Sequence, residues 1–243
     1  MMKKILPLLG FVMIISAVSA QDSPTPDKKK KEKIDLSNRA NDHFMVQFGL
    51  AGWSGIPDTI NKTGFSKSFN VYFLFDFPFK NNPKLSIAIG PGIGSDHIVF
   101  GSTHVGIKDP VSEMRFKNNS DTNHYKKTKL ATTYLEAPIE FRYSTDPLHG
   151  KGFKIAAGLK VGTMINAHTR NTKYEDKNGS SLTDHTLKES SKQFFNKNRI
   201  SVMGRVGYGH ISLFGSYQLT PLFTDGKGPI VKPYTIGLTL SGL

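Results

Sequence analysis

Glu136 and Glu140 stand four residues apart in LATTYLEAPIEFRY (130–143), with Arg142 close behind, and on a helix the two carboxylates would share one face. Two carboxylates so placed are candidates for a pair of active-site acids. Pro138 lies between them, however, and a proline in a helix interior costs about 3 kcal/mol. The stretch therefore reads as a strand. Leu135, Ala137, Ile139, Phe141 and Tyr143 fall on one face, and Tyr134, Glu136, Pro138, Glu140 and Arg142 on the other. At ~3.3 Å per residue the carboxylates are then about 13 Å apart, beyond the separation of either glycosidase geometry.

Other chemical candidates fail on spacing or context. GPGIGS (90–95) lacks the Lys-Ser/Thr of a phosphate loop and opens no helix as a dinucleotide fingerprint must. Its glycines read as small residues on the inner face of a strand. His210 and Ser212 have the spacing of a His–Ser pair found in small lipid A deacylase barrels, but they adjoin the shortest turn rather than the outer leaflet. The remaining histidines, among them His97, His104, His124 and His185, show no H-x-x-x-H spacing. With no cysteine in the chain there is neither a thiol nucleophile nor a thiolate metal site. We assign no catalytic residue, cofactor or metal, and expect a protein that is not an enzyme.

The N-terminus sets the expected compartment. MMKKILPLLGFVMIISAVSA has a basic start at Lys3 and Lys4, an apolar run, and a small-residue cleavage site at Val18-Ser19-Ala20. Residues 1–20 read as a secretory signal cleaved after Ala20. The formal charge of +13 then falls to 13 − 2 = +11. Residues 21–42 hold six basic and five acidic residues, so the KKKKEK run is largely offset and reads as a solvated, flexible periplasmic tail with no nucleic-acid partner.

From residue 43 to 243 the chain divides into eight segments of about ten residues with period-two alternation. HFMVQFGLAG, SFNVYFLFDF, KLSIAIGPGIG, the stretch around Glu136, GFKIAAGLKVGTMIN, RISVMGRVGY, HISLFGSYQL and KPYTIGLTLSGL each present one apolar face. Ten residues is the length a tilted membrane strand requires, and alternation of lipid-facing with lumen-facing residues keeps mean hydropathy unremarkable. The connections alternate long (53–67, 95–128, 167–197) with short (78–83, 144–151, Tyr208-Gly209), and the last (220–231) is intermediate. Outer-membrane barrels have short periplasmic turns and long outer loops. The expected fold is all-β: a closed, antiparallel, up-and-down, eight-stranded transmembrane β-barrel in a Gram-negative outer membrane, monomeric.

An eight-stranded barrel is only wide enough to fill with side chains, so charges inside must find partners. The expected lumenal network is Asp76, Glu136, Glu140, Arg142, Lys154, Lys160 and Arg205. Two hairpin registers remain open: one opposing Glu136 to Lys160 and Arg142 to Lys154, the other opposing Glu140 to Lys154. Phe77, Tyr143, Phe153 and Tyr208 flank the short turns on the apolar face, Phe44 joins them at the start of the first strand, and the five read as a periplasmic aromatic girdle.

TYLEAPIEFRY (133–143), with its Y-x-E-x-P pattern, AAGLKVG (156–162) and the closing GLTLSGL (237–243) resemble the PorT-like outer-membrane β-barrel proteins of Bacteroidetes. The resemblance spans roughly 43–243 and implies an eight-stranded outer-membrane barrel. The founding member's part in type IX secretion follows by fold-level analogy alone. The expected role is structural, adhesive or surface-interactive, with outer-membrane lipid and lipopolysaccharide as surroundings and an unidentified surface or envelope protein as partner. The alternatives are a narrow pore for ions or small solutes and a soluble, lipocalin-like binder whose apolar face would point inward.

Overall fold

The computed structural model describes residues 43–57, 60 and 63–242; the expected signal sequence (1–20) and the expected tail (21–42) lie outside them. The elements are β1 (Phe44–Ser54), β2 (Lys67–Phe73), β3 (Phe75–Phe79), β4 (Asn82–Ile89), β5 (Gly92–Gly101), β6 (Thr103–Val105), β7 (Phe116–Asn118), β8 (His124–Ser144), β9 (Phe153–Glu175), β10 (Ser181–Ser190), β11 (Asn198–Tyr208), β12 (Ile211–Gln218) and β13 (Lys232–Ser241). No helix occurs among the described residues. β1, β2, β5, β8, β9, β11, β12 and β13 form a ring of eight, each hydrogen-bonded antiparallel to its neighbours, with β13 returning to β1.

Two strands of the ring are interrupted, and prolines explain where. β2 continues as β3 past Leu74, and β4 continues as β5 past Gly90 and Pro91. Pairing of β4 with β8 ends at Ile89↔Ile139, and that of β5 with β8 begins at Gly92↔Glu136. The gap lies beside Pro138. Neither Pro91 nor Pro138 has an N–H for the ladder, so it opens where they meet. Leu74 instead donates its N–H to the His43 carbonyl (2.7 Å), and Phe73 to that of Pro91 (2.9 Å).

Period two sorts the side chains. Phe48, Phe69, Ile93, Leu135, Leu159, Val202, Leu213 and Ile236, one from each strand of the ring, point outward and are exposed. Gln47, Asn70, Glu136, Lys160, Ser201, Ser212 and Thr239 point inward and are buried. This is a soluble protein's polarity turned inside out. A lipocalin-like arrangement needs the opposite, so that alternative does not fit.

All eight alternating segments occur as strands of the ring, but their upper ends differ from the sequence reading. The stretch 95–128, read as loop, contains the end of β5, the β6–β7 hairpin and the first five residues of β8. The stretch 167–197 contains the end of β9 and all of β10, which turns back along β9. These extensions are rich in Thr, Tyr and Lys, and their outward face is no longer apolar, so hydrophobic alternation cannot reveal them. A bulge at Ile165, between the pairs Thr133↔Asn166 and Tyr134↔Met164, also switches the parity of β9. Below it even-numbered residues point inward; above it Ala167, Thr169 and Asn171 do.

The short turns are locally determined. Tyr208 pairs with Ile211 across Gly209-His210, and Gly209 has φ +60°, the sign a tight II′ hairpin needs at its first central residue. Between β8 and β9 the Asp146 side chain accepts the His149 N–H (3.1 Å), which holds its carboxyl below the usual range.

Replacing outward Leu159 by arginine is expected to cost about 2–4 kcal/mol in equilibrium unfolding from lipid vesicles, the cost of a lipid-facing charge near mid-bilayer. A cost under 0.5 kcal/mol would show that Leu159 does not face lipid.

Candidate functional site: a charged interior under an apolar cap

The interior charges lie in two layers. In the upper layer Glu136 Oε1 accepts from Arg199 Nε (2.7 Å) and lies 2.6 Å from Nη2. Its Oε2 accepts the Tyr72 hydroxyl (2.5 Å) and lies 3.8 Å from Lys160 Nζ. Arg199 Nη1 donates to Asp96 (2.8 Å), and its guanidinium stacks 3.8 Å over the Tyr134 ring centroid. All six side chains are buried. In the lower layer Glu140 Oε2 accepts from Arg142 Nε (2.8 Å) and Arg205 Nη2 (3.1 Å). Arg142 Nη1 stands 3.6 Å from Asp76, which accepts from Ser86 (2.7 Å).

Glycine makes the upper layer possible. Around the ring run Tyr72↔Gly92↔Glu136↔Gly162↔Arg199, large and small residues alternating from strand to strand. A Cβ on Gly94 would stand 2.6 Å from Glu136 Oε2 and 2.9 Å from Arg199 Nη2, and one on Gly92 would enter the Tyr72 ring. With Gly162 between them, Glu136 and Arg199 reach each other across two strand spacings.

Both expected hairpin registers are thereby corrected. Lys160 opposes Pro138 and Lys154 opposes Ser144, while Glu136, Glu140 and Arg142 oppose Gly162, Gly158 and Ala156. The cause is the turn: Thr145 N–H donates to the Phe153 carbonyl (3.0 Å), leaving seven residues in the loop. Direct cross-strand opposition of two long charged side chains would overfill so narrow a ring. The acids on β8 meet cations chiefly from β11, diagonally or across a small residue. Of the residues named from sequence, Asp76, Glu140, Arg142 and Arg205 come together in one layer and Glu136 with Lys160 in the other. Lys154 is buried at the short-turn end. Arg199, Asp96, Tyr72 and Tyr134 were missed. Arg199 is visible on the polar face of its segment, whereas Asp96 falls in the 95–128 stretch that reads as loop from sequence.

Phe44, Phe77, Tyr143, Phe153 and Tyr208 are all exposed on the outward face near the short-turn end. His210 is an exposed turn residue hydrogen-bonded through Nδ1 to the Ser241 carbonyl (2.9 Å), while Ser212 is buried. Those two side chains form no pair.

Above the upper layer the interior becomes apolar. Trp53, Ile60, Phe100, Ile107, Met114, Phe194, Phe195, Leu222, Phe223 and Val231 form one buried cluster with Leu130 and Met164. Trp53 packs edge-on against Phe223 (6.1 Å) and tilted against Phe100 (5.5 Å). Backbone bonds tie the loops over it: Asn196 N–H to Leu222 O (2.9 Å), Thr224 N–H to Phe194 O (2.9 Å) and Met114 N–H to Lys227 O (3.0 Å). Each fully buried phenylalanine contributes about 1.5–3 kcal/mol. The sequence signal was the Phe-Phe and Leu-Phe pairs inside otherwise polar connections.

An antiparallel ring of eight strands with an apolar exterior and a paired polar interior defines an outer-membrane barrel-type protein. A family model described as "Outer membrane protein beta-barrel domain" matches residues 20–224, and the chain belongs to that family. It is an outer-membrane protein. Among solved structures it is similar to Ail, the attachment invasion locus protein of Yersinia pestis, at 13% identity over 82% of this chain and 94% of that one, with a TM-score of 0.31. No curated protein matches it in sequence.

Glu136→Ala leaves buried Lys160 without its carboxylate and Arg199 with Asp96 alone, and is expected to cost about 3–5 kcal/mol, as breaking a buried ion pair does. Adding Lys160→Met, which removes the cation left unpaired, should recover part of the loss. Gly94→Val, which keeps every charge, should cost about 1–3 kcal/mol by overpacking. Unfolding midpoints of the full chain in vesicles read all three.

Proposed function

We propose that the protein is a non-conducting outer-membrane scaffold that presents a folded surface outside the cell, with a structural or adhesive role. The observation that carries this reading is the closure of the interior at two levels. Below the apolar cap, the space bordered by Asp96, Lys160, Arg199 and Ser216 measures about 10 Å³, at the lower limit of what a single water occupies. β8 and β9 add a second support. They run 21 and 23 residues, about twice the 9–11 a membrane crossing takes, and so raise a sheet well beyond the apolar belt. Within the family we place the chain in the PorT-like group of Bacteroidetes, on the TYLEAPIEFRY and GLTLSGL segments.

The long-loop end faces outward in this proposal, and the short turns face the periplasm. In planar bilayers the full chain is expected to give no steady single-channel conductance. Steps that Glu136→Ala or Arg199→Met reshape would establish a pore and sink the scaffold reading.

Orientation has its own check. Trypsin added to intact cells should cut after exposed Lys177 in the 176–180 turn and spare Lys80 and Lys151 in the short turns. Cleavage at the latter pair would reverse the topology. Phe223→Ala should loosen the cap, costing about 3–5 kcal/mol, and add cuts within 192–231.

A further inference from the structure

Where β8 and β9 rise past the belt, their outward face changes from apolar to basic, flanked by Lys188 on β10 and Lys67 on β2. Lys129 on β8 opposes Arg170 on β9, which opposes Lys188 on β10. One rung higher Lys127 opposes Thr172, and toward the belt Lys67 opposes His97. The parity switch at Ile165 is what brings Arg170 to the outside beside Lys129. Lys127, Lys129, Arg170 and Thr172 border an open hollow of about 140 Å³. Partial burial and the like charges of Lys127, Arg170 and Lys67 push the Lys129 ammonium below its ordinary pKa. Such a group repels itself and is relieved by an anion.

Its height identifies the anion. On β9 the belt ends at Ile165, and Arg170 stands five residues further on; on β2, Lys67 stands two beyond Phe69. At ~3.3 Å per residue and ~40° tilt these steps place the two roughly 13 and 5 Å above the belt rim. The headgroup layer is roughly 5–8 Å thick on each side, and Lys and Arg side chains reach several ångströms along their stems. Directly below the patch lies a polar rung in which Ser95 is hydrogen-bonded to Thr133 (3.1 Å) and Asn166 to His168 (3.1 Å). Hydroxyl and amide groups above an apolar belt, and cations above those, follow the order of acyl chain, sugar and phosphate in a phosphorylated glycolipid.

We infer that this outward wall docks the phosphoryl groups of an outer-leaflet glycolipid, with Lys127, Lys129 and Arg170 as the phosphate-binding residues. The inference rests on the outer-membrane, loops-outward reading and names a partner for that surface. Arg170 supplies the planar donor fork and the two lysines supply point charges. Because the site opens sideways into the membrane plane, the lipid binds from within its own leaflet.

The test uses the full chain folded in neutral detergent, with diphosphoryl lipid A, fully dephosphorylated lipid A and inorganic phosphate as probes, read by equilibrium binding and thermal unfolding. Diphosphoryl lipid A is expected to bind and to raise Tm. The variant Lys127→Gln/Lys129→Gln/Arg170→Gln should bind it at least tenfold more weakly, while Lys129→Arg retains affinity. These side chains lie on the solvent face of the wall, and circular dichroism with heat-modifiable electrophoretic mobility confirms that the triple variant is folded. Equal binding of dephosphorylated lipid A, or undiminished binding by the folded triple variant, would overturn the inference. So would inorganic phosphate binding as tightly as lipid A, which would make the patch a free-anion site. None of these outcomes alters the bilayer conductance result, so failure here is distinguishable from failure of the scaffold reading.

Discussion

The ion pair between Glu136 and Arg199 is the constraint around which the interior is arranged. A chain that turns its apolar face to lipid must place its polar face inside, and in a ring of eight that inside has no room for bulk water. A buried carboxylate without partners would cost several kcal/mol. Glu136 therefore receives Arg199, Lys160 and Tyr72, and Arg199 receives Asp96 and the face of Tyr134. The glycines follow from the same demand. Gly92, Gly94 and Gly162 mark where a side chain would collide with the ring of partners, so their placement is a packing requirement of the pair and has no bearing on phosphate binding.

The ring was legible because its signal is repeated eight times. Each segment alternates weakly, but the alternation, the length near ten and the sequence of long and short connections agree with one another. The charges facing inward were legible too, because period two settles the face of a residue once the strand is known. Register was not. It depends on how many residues the 146–152 turn absorbs, and that is set by the Thr145–Phe153 pairing and the hydrogen bonds of Asp146 rather than by hydrophobic pattern. A hairpin with long side chains on both strands looks, on paper, as though opposite charges should stand opposite. Sterics in a narrow lumen favour the reverse, with each large residue facing a small one.

The upper half of the molecule was hidden for a different reason. Past Leu135 and Ile165 the outward face carries Thr, Lys, Arg and His instead of apolar residues, so it resembles a polar loop. The inward face there packs against Phe194, Phe195 and Phe223, which come from connections distant in sequence. Period-two alternation survives in Lys127, Lys129 and Leu130, Thr128, but with polarity muted on both sides. Only the tertiary contact of three separate loops makes that sheet's inner surface a core.

These two halves meet at the bulge at Ile165, and their functions separate there. Below it, β9 alternates lipid with lumen; above it, the shift by one residue turns Ala167 and Thr169 in toward the cap and His168 and Arg170 out. Without the extra residue Arg170 would turn into the apolar cap, and the cap would lose the small Ala167 that belongs to its buried cluster. A single inserted residue thus reconciles two periodic patterns that cannot share one parity: a membrane strand that needs Ile165 outside, and an outer sheet that needs Ala167 inside. The outward basic wall and the apolar cap are two consequences of the same local event.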